Sequence, residues 1–118
     1  MKDVVVVNDR WGGDSMGKHG GFLTYSDHYD PGKLLERKWE NCMTLDRNSW
    51  GNRRNMKVVY RENSIRNFKL ADILPVHELI EQLARTISCG GNLLLNVGPD
   101  NHGRIPLIFQ DRLKELGE

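Results

Sequence analysis

The stretch that most constrains this chain is residues 4–13, VVVVNDRWGG. Four consecutive valines make a short, wholly apolar, β-branched run. Such a run reads as a strand buried on both faces, as in a parallel sheet covered by helices. It stops abruptly, and Asn8, Asp9, Arg10 and Trp11 precede a double glycine. A buried strand ending in polar and aromatic side chains is the pattern of an α/β enzyme, whose sites gather at the carboxyl ends of strands. A strand followed by a salt-bridged turn fits these residues equally well, so the rest of the chain decides.

The totals narrow the choice. A chain of 118 residues suits one small domain with a modest core. Lys plus Arg is 17 and Asp plus Glu is 16, so there is no electrostatic footprint for nucleic acid or an anionic membrane, and neither partner is expected. Arg53, Arg54 and Lys57 cluster, but a short basic cluster reads as a solvated loop. No apolar run approaches a membrane span, and Met1-Lys2-Asp3 leads into the valines without a signal-peptide pattern. The two cysteines, Cys42 and Cys89, are too few and too far apart for a disulfide scaffold or a zinc site, and read as small core residues.

Taken in order, residues 12–32 form a glycine-rich polar stretch containing Tyr25, Ser26, Asp27, His28, Tyr29 and Asp30. Long loops tend to be functional or disordered, and aromatics beside acids argue against disorder. Residues 31–37 suit one helical turn, 38–45 a strand, and 46–51 a loop carrying Trp50. Residues 52–70 are charged and unpatterned and read as an irregular surface segment. From Pro75 the spacing of Val76, Leu79, Ile80, Leu83, Ala84 and Ile87 predicts one helix face, with Pro75 at the start and Gly90-Gly91 at the stop. Residues 93–97 read as a second apolar strand, and 106–116 as a last helix with Leu107, Ile108, Leu113 and Leu116 on its apolar side. Strand, long loop, strand, long loop, helix, strand, loop, helix is a parallel α/β order. Three strands cannot close a barrel and would leave bare sheet edges, so the chain reads as part of a larger barrel domain.

Site candidates are the residues at strand ends and in the long loops: Asp9, Arg10, Asp27, His28, Glu40, Trp50 and Asn96. Acids grouped with tryptophans suit carbohydrate chemistry, where rings stack on sugars and carboxylates move protons or attack the anomeric carbon. There is no G-x-S-x-G elbow, phosphate loop or H-E-x-x-H. The glycines of GGNLLLNVG precede their strand, against the context of a nucleotide loop. The four histidines, His19, His28, His77 and His102, show no metal-ligand spacing.

Four motifs in order carry a resemblance. VVVNDRWG at 5–12, Pro31-x-x-Leu34-x-x-x-Lys38-Trp39-Glu40-x-Cys42, Ser49-Trp50-Gly51 with Arg53-Arg54, and SCGGNLLLNVGP at 88–99 resemble the corresponding blocks of family 29 α-L-fucosidases, best the animal, lysosomal or tissue branch. The resemblance implies the later, C-terminal part of a (β/α)8-like TIM barrel, residues 1–118 being a fragment of that catalytic domain. The upstream barrel half and the downstream β-sandwich are then absent. It implies retaining hydrolysis of α-L-fucosidic bonds on glycoproteins and glycolipids through a covalent fucosyl-enzyme, without metal or cofactor. It further implies a fucosylated glycan as partner, room for a homo-oligomer in the full-length enzyme, and a lysosomal or secreted location.

By the same resemblance, Arg10 matches an arginine that reaches the sugar, and Trp50 an aromatic that packs near the fucose methyl group. Asp27 matches the loop acid that serves as acid/base, with Glu40 of K-W-E the alternative. Asp27 is favoured because a loop residue can reach a leaving-group oxygen, whereas Glu40 lies within a strand. No position matches the nucleophilic aspartate, and Asp9 belongs to D-R-W-G instead. The segment 58–74 is longer than the family norm. The chain alone is therefore expected to be inactive. The competing reading is a non-catalytic truncated remnant or a sugar-binding fragment.

Overall fold

The computed structural model describes residues 5–53 and 72–118. Val4, Arg54 and Lys57, and the greater part of the charged segment expected over 52–70 and 58–74, lie outside the described residues. Four elements follow one another: β1 (Trp39–Thr44), α1 (Val76–Ser88), β2 (Gly91–Asn96) and α2 (Leu107–Gly117). β1 and β2 are neighbours in a two-stranded sheet. Asn92 Nδ2 donates to Glu40 Oε2 at 3.2 Å, and Asn96 Nδ2 to Thr44 Oγ1 at 3.3 Å, each pair 52 positions apart. A constant offset means that the two strands run in the same direction, as the alternating order of elements predicts.

The chain divides into two compact units. One holds the described residues up to Met43 together with Glu81–Leu95. β1 alternates there with the period of a strand: Trp39, Asn41 and Met43 are buried, while Glu40 and Cys42 are partly open. Trp39 centres the core with Leu23 and Cys89, flanked by Tyr25, Tyr29 and Leu35. Its Nε1 donates to Cys89 O at 2.8 Å, and its ring meets Tyr29 edge-on at 5.6 Å. Gly91 must stay glycine, because a Cβ there would lie 2.5 Å from the Trp39 ring. This contact draws Gly91 into β2, so β2 starts two residues before the expected 93. Gly90, at φ +77°, ends the helix. Leu23 bridges Trp39 in parallel, with Leu23 N on Lys38 O at 2.9 Å and Glu40 N on Leu23 O at 2.8 Å.

The other unit holds the described residues of Thr44–Ile80 with Asn96–Glu118. Leu45 N donates to Asn96 O at 3.1 Å and Leu74 N to Leu45 O at 3.0 Å, and Asp46 bridges Ile73 in antiparallel sense. Its buried apolar residues are Leu45, Ile73, Leu74, Leu79 and Phe109.

Several expectations need correction. The valine run is not a buried strand: residues 5–8 carry no strand, and Val5 and Val6 are 63% and 83% exposed. β-branched residues give only a preference for extended backbone, and a strand needs a neighbour's ladder. Val7 O instead accepts Gly21 N at 2.7 Å, closing the long loop on itself. Residues 31–37 form bends, not a helical turn. Gly32 sits at φ +62°, and its N–H donates to Asp30 Oδ1, fixing an Asx turn that a helix cannot contain. On α1 the expected apolar face is buried at Leu79, but Ile80, Ala84 and Ile87 are exposed, and Thr86 is the buried companion. Asn41 Nδ2 accounts for it, donating to Thr86 Oγ1 at 3.1 Å. On α2 the residue that packs inward is Phe109, whereas Leu107 is exposed. Both cysteines are free, Cys89 in the core and Cys42 half-buried.

Candidate active site

In the first unit the long loop is built around one carboxylate. Asp9 is fully buried. Its Oδ2 accepts Gly17 N at 2.6 Å, and its Oδ1 accepts both Thr24 N at 2.9 Å and Thr24 Oγ1 at 2.6 Å. Burial pushes the Asp9 carboxyl up, but the Thr24 hydroxyl and the amides of Gly17 and Thr24 outweigh it and hold the group below its ordinary value. With both oxygens engaged and no open face, Asp9 cannot approach an anomeric carbon.

The network continues outward through Thr24. Its Oγ1 accepts Arg10 Nε at 2.9 Å, and the same guanidinium reaches Asp27 Oδ1 through Nη2 at 2.6 Å. Asp9, Thr24, Arg10 and Asp27 thus form one chain of hydrogen bonds running from a buried anchor to an open pair. The Arg10 and Asp27 side chains are 35% and 43% exposed. The bond to Asp27 raises the proton affinity of Arg10 most, so the guanidinium is always charged. Backbone strain gathers beside the acid: Tyr25 and His28 take left-handed φ values of 47° and 55°, an uncommon state for non-glycine residues and one that collects at functional sites. His28 N donates to Cys42 O at 2.9 Å, tying that turn to β1.

Glu40 stands near the start of β1, with Oε2 on Asn92 Nδ2. It shares a strand face with Cys42, two residues on. Burial pushes the Cys42 thiol up; Arg10 acts the other way, and Asp27 and Glu40 reinforce it. Arg10, Asp27 and Glu40 therefore share one electrostatic neighbourhood around Cys42. The structure pairs Arg10 with Asp27 and pairs Glu40 with an amide.

Trp50 belongs to the second unit, where its loop is pinned. Asp46, buried, accepts Asn48 N at 2.9 Å and Arg53 Nη2 at 2.6 Å. Asn96 Nδ2 donates to Trp50 O at 2.6 Å, so Asn96 acts here as a loop clamp. Gly98 lies against this loop so closely that a Cβ would be 2.5 Å from Asn52 N. Trp50 is left 40% exposed.

Sequence reasoning missed Thr24, which joins the buried and open halves of the network. A signal existed in Phe22-Leu23-Thr24-Tyr25, an apolar and β-branched patch inside a polar loop. Ser15 was also passed over; its Oγ accepts Trp11 N and Gly12 N and donates to Asp9 O. Among the described residues no helix is long and apolar enough to cross a membrane, and no cluster of His, Cys, Asp and Glu could hold a metal ion.

A family model described as Alpha-L-fucosidase matches residues 1–118. A Caenorhabditis elegans protein named for the same activity is 66% identical over 117 residues, covering 99% of this chain and 22% of its own length. The human plasma α-L-fucosidase is 49% identical over 117 residues, again 99% of this chain and 22% of that protein. Among solved structures, the Thermotoga maritima α-fucosidase superimposes with a TM-score of 0.67 at 37% identity, covering 95% of this chain and 21% of that one. The chain thus spans about 22% of the length of these curated relatives.

Proposed function

Because this chain belongs to the α-L-fucosidase family, we propose that it is the part of a retaining α-L-fucosidase that carries the acid/base side of the site. In this reading Asp27 protonates the glycosidic oxygen as a carboxylate elsewhere in the enzyme attacks the anomeric carbon. Asp27 then takes a proton from the water that hydrolyses the fucosyl-enzyme. Arg10 binds the sugar, and Trp50 packs on its apolar side. Glu40 holds β1 to β2 through Asn92. The segment is the later part of a (β/α)8-like barrel, its substrate a fucosylated glycan, and the whole enzyme secreted or lysosomal. Relatives named as plasma and tissue enzymes favour that location.

The observation that carries the reading is the Arg10–Asp27 pair, 2.6 Å apart, at the open end of a network anchored in a buried carboxylate. The parallel register of β1 and β2 supports the barrel, and the amide partner of Glu40 supports a structural role for it. The test compares Asp27→Ala with Glu40→Ala in a full-length α-L-fucosidase in which this chain occupies the matched segment. Asp27→Ala should fall most on substrates with poor leaving groups and regain turnover with azide, giving fucosyl azide. Glu40→Ala should lose activity evenly across substrates or fold poorly. Azide rescue of Glu40→Ala alone would exchange the two assignments.

A further inference from the structure

We propose that Tyr25 and Tyr29 are positioning residues for Asp27: their rings stack across the turn that carries the acid and fix its backbone before substrate arrives. The inference rests on the acid/base reading of Asp27 above and adds the device that aims the carboxylate.

The backbone around Asp27 takes a shape that its residues resist. Tyr25 and His28 sit at φ 47° and 55°. Neither is glycine, so each conformation costs free energy and persists only where the surroundings enforce it. His28 is held from β1, since its N donates to Cys42 O at 2.9 Å. Tyr25 is held by a ring. It stacks on Tyr29 with centroids 4.5 Å apart and planes inclined by 28°. Asp27 is the middle residue of the five that the stack spans. Residues 25–29 carry no helix, so helical spacing does not bring these rings together.

The clamp is grounded in the core at one end and in the Asp9 cradle at the other. Tyr29 meets Trp39 edge-on at 5.6 Å, and Trp39 is 2% exposed in the cluster with Leu23 and Cys89. Tyr25 covers Gly17, where an added Cβ would lie 3.7 Å from its ring. Gly17 N in turn donates to Asp9 Oδ2 at 2.6 Å. One line of contacts therefore runs from Trp39 through Tyr29 and Tyr25 to Gly17.

The Asp27 side chain is 43% exposed, so packing on the carboxylate itself restrains it little. Arg10 Nη2 holds one of its oxygens, Oδ1. A single bond to a long side chain can follow a loop that moves. A stack seated on a buried tryptophan cannot, and it fixes where the carboxylate starts from. An acid/base must lie within hydrogen-bond reach of the departing oxygen, and small displacements are costly.

The experiment uses the same full-length enzyme and compares kcat/KM on two substrates. An alkyl α-L-fucoside needs a proton on its departing oxygen, whereas α-L-fucosyl fluoride needs little help. Tyr29→Leu should lower kcat/KM about tenfold on the alkyl fucoside and leave the fluoride within about twofold. Tyr25→Leu should do the same, and it decides the matter if Tyr29→Leu fails to fold, because it spares the contact with Trp39. Phe at either position keeps the stack and should stay within about twofold of the parent on both substrates. In an Asp27→Ala background the leucine variants should add no further selective loss, because the clamp acts through the acid. Equal losses on both substrates, or the same selective loss with and without Asp27, would overturn the clamp. An Asp27→Ala enzyme that keeps its activity on the alkyl fucoside would overturn the acid/base reading and this inference with it. One that loses that activity, while the leucine variants match the parent, would overturn the clamp alone.

Discussion

Asp9 in the first unit and Asp46 in the second are almost equally buried, at 0% and 2% exposure, and each ties down a loop, but by different chemistry. Asp9 is met by neutral donors, two amides and a hydroxyl. Asp46 is met by one amide and by the guanidinium of Arg53. Two of the donors around Asp9, the amide and hydroxyl of Thr24, are buried and cannot turn to water if the carboxylate is removed. The Arg53 side chain is 29% exposed and can. Burial alone therefore does not set the importance of a buried acid; the mobility of its partners does.

The largest effect is expected from removing the immobile arrangement. Asp9→Ala in the full-length enzyme leaves the buried amide and hydroxyl of Thr24 and the half-buried amide of Gly17 without an acceptor and should cost about 3 kcal/mol. Asp46→Ala should cost about 2 kcal/mol, since Arg53 can be rehydrated. Urea titrations of the two variants side by side check the order, and a greater loss in Asp46→Ala would break the comparison.

Next in size is Thr24, the link between the Asp9 cradle and the open pair. Thr24→Val keeps the shape but removes both the donor to Asp9 and the acceptor for Arg10 Nε. It should cost about 1–2 kcal/mol in urea titrations and about tenfold in kcat, with Thr24→Ser within about twofold of the parent. Steady-state kinetics on an aryl fucoside would show it, and a Thr24→Ser enzyme as weak as Thr24→Val would mean that the methyl group, not the hydroxyl, matters.

The pH dependence sharpens the same contrast. The Asp9 carboxyl is lowered on folding, and its unfolded value is about 3.9. Its contribution is therefore complete above that value and is lost as pH falls through the lower, folded one. The stability gap between the parent and Asp9→Asn should stay constant from about pH 7 to 5 and narrow below about pH 4. Urea midpoints across that range read it, and a gap that widened in acid would reverse the sign.

The smallest effect belongs to a pair on the surface. Arg85 reaches both Asp30 and Glu81 at 3.1 Å with its side chain 58% exposed. Arg85→Ala should change stability by less than about 0.5 kcal/mol in a thermal melt, and a loss comparable to Thr24→Val would show that exposure had misjudged it.

What the sequence made legible divides along the same physical line. β1, α1, β2 and α2 were readable because each declares itself through local periodicity or through Pro and Gly at its ends. The valine run was not, because a strand exists only with a partner, and no local pattern reports the partner. Phe109 was overlooked on α2 because Leu107 and Ile108 beside it carry an equally apolar signal, and only packing separates them. The motif positions Arg10 and Asp27 were visible, but their pairing across 17 residues was not. Nor was the role of Thr24, an ordinary loop residue until Asp9 and Arg10 close on it.

The placement of Trp39 has an optical consequence. The chain has three tryptophans. Trp39 is enclosed and dry, while Trp11 and Trp50 face water. Their emission should separate by colour: Trp39 in the blue part of the band, shifting red only when the core opens, and the other two already red in the native state. Unfolding would move the blue component alone, so one fluorescence spectrum reports on the core around Trp39 without any added label.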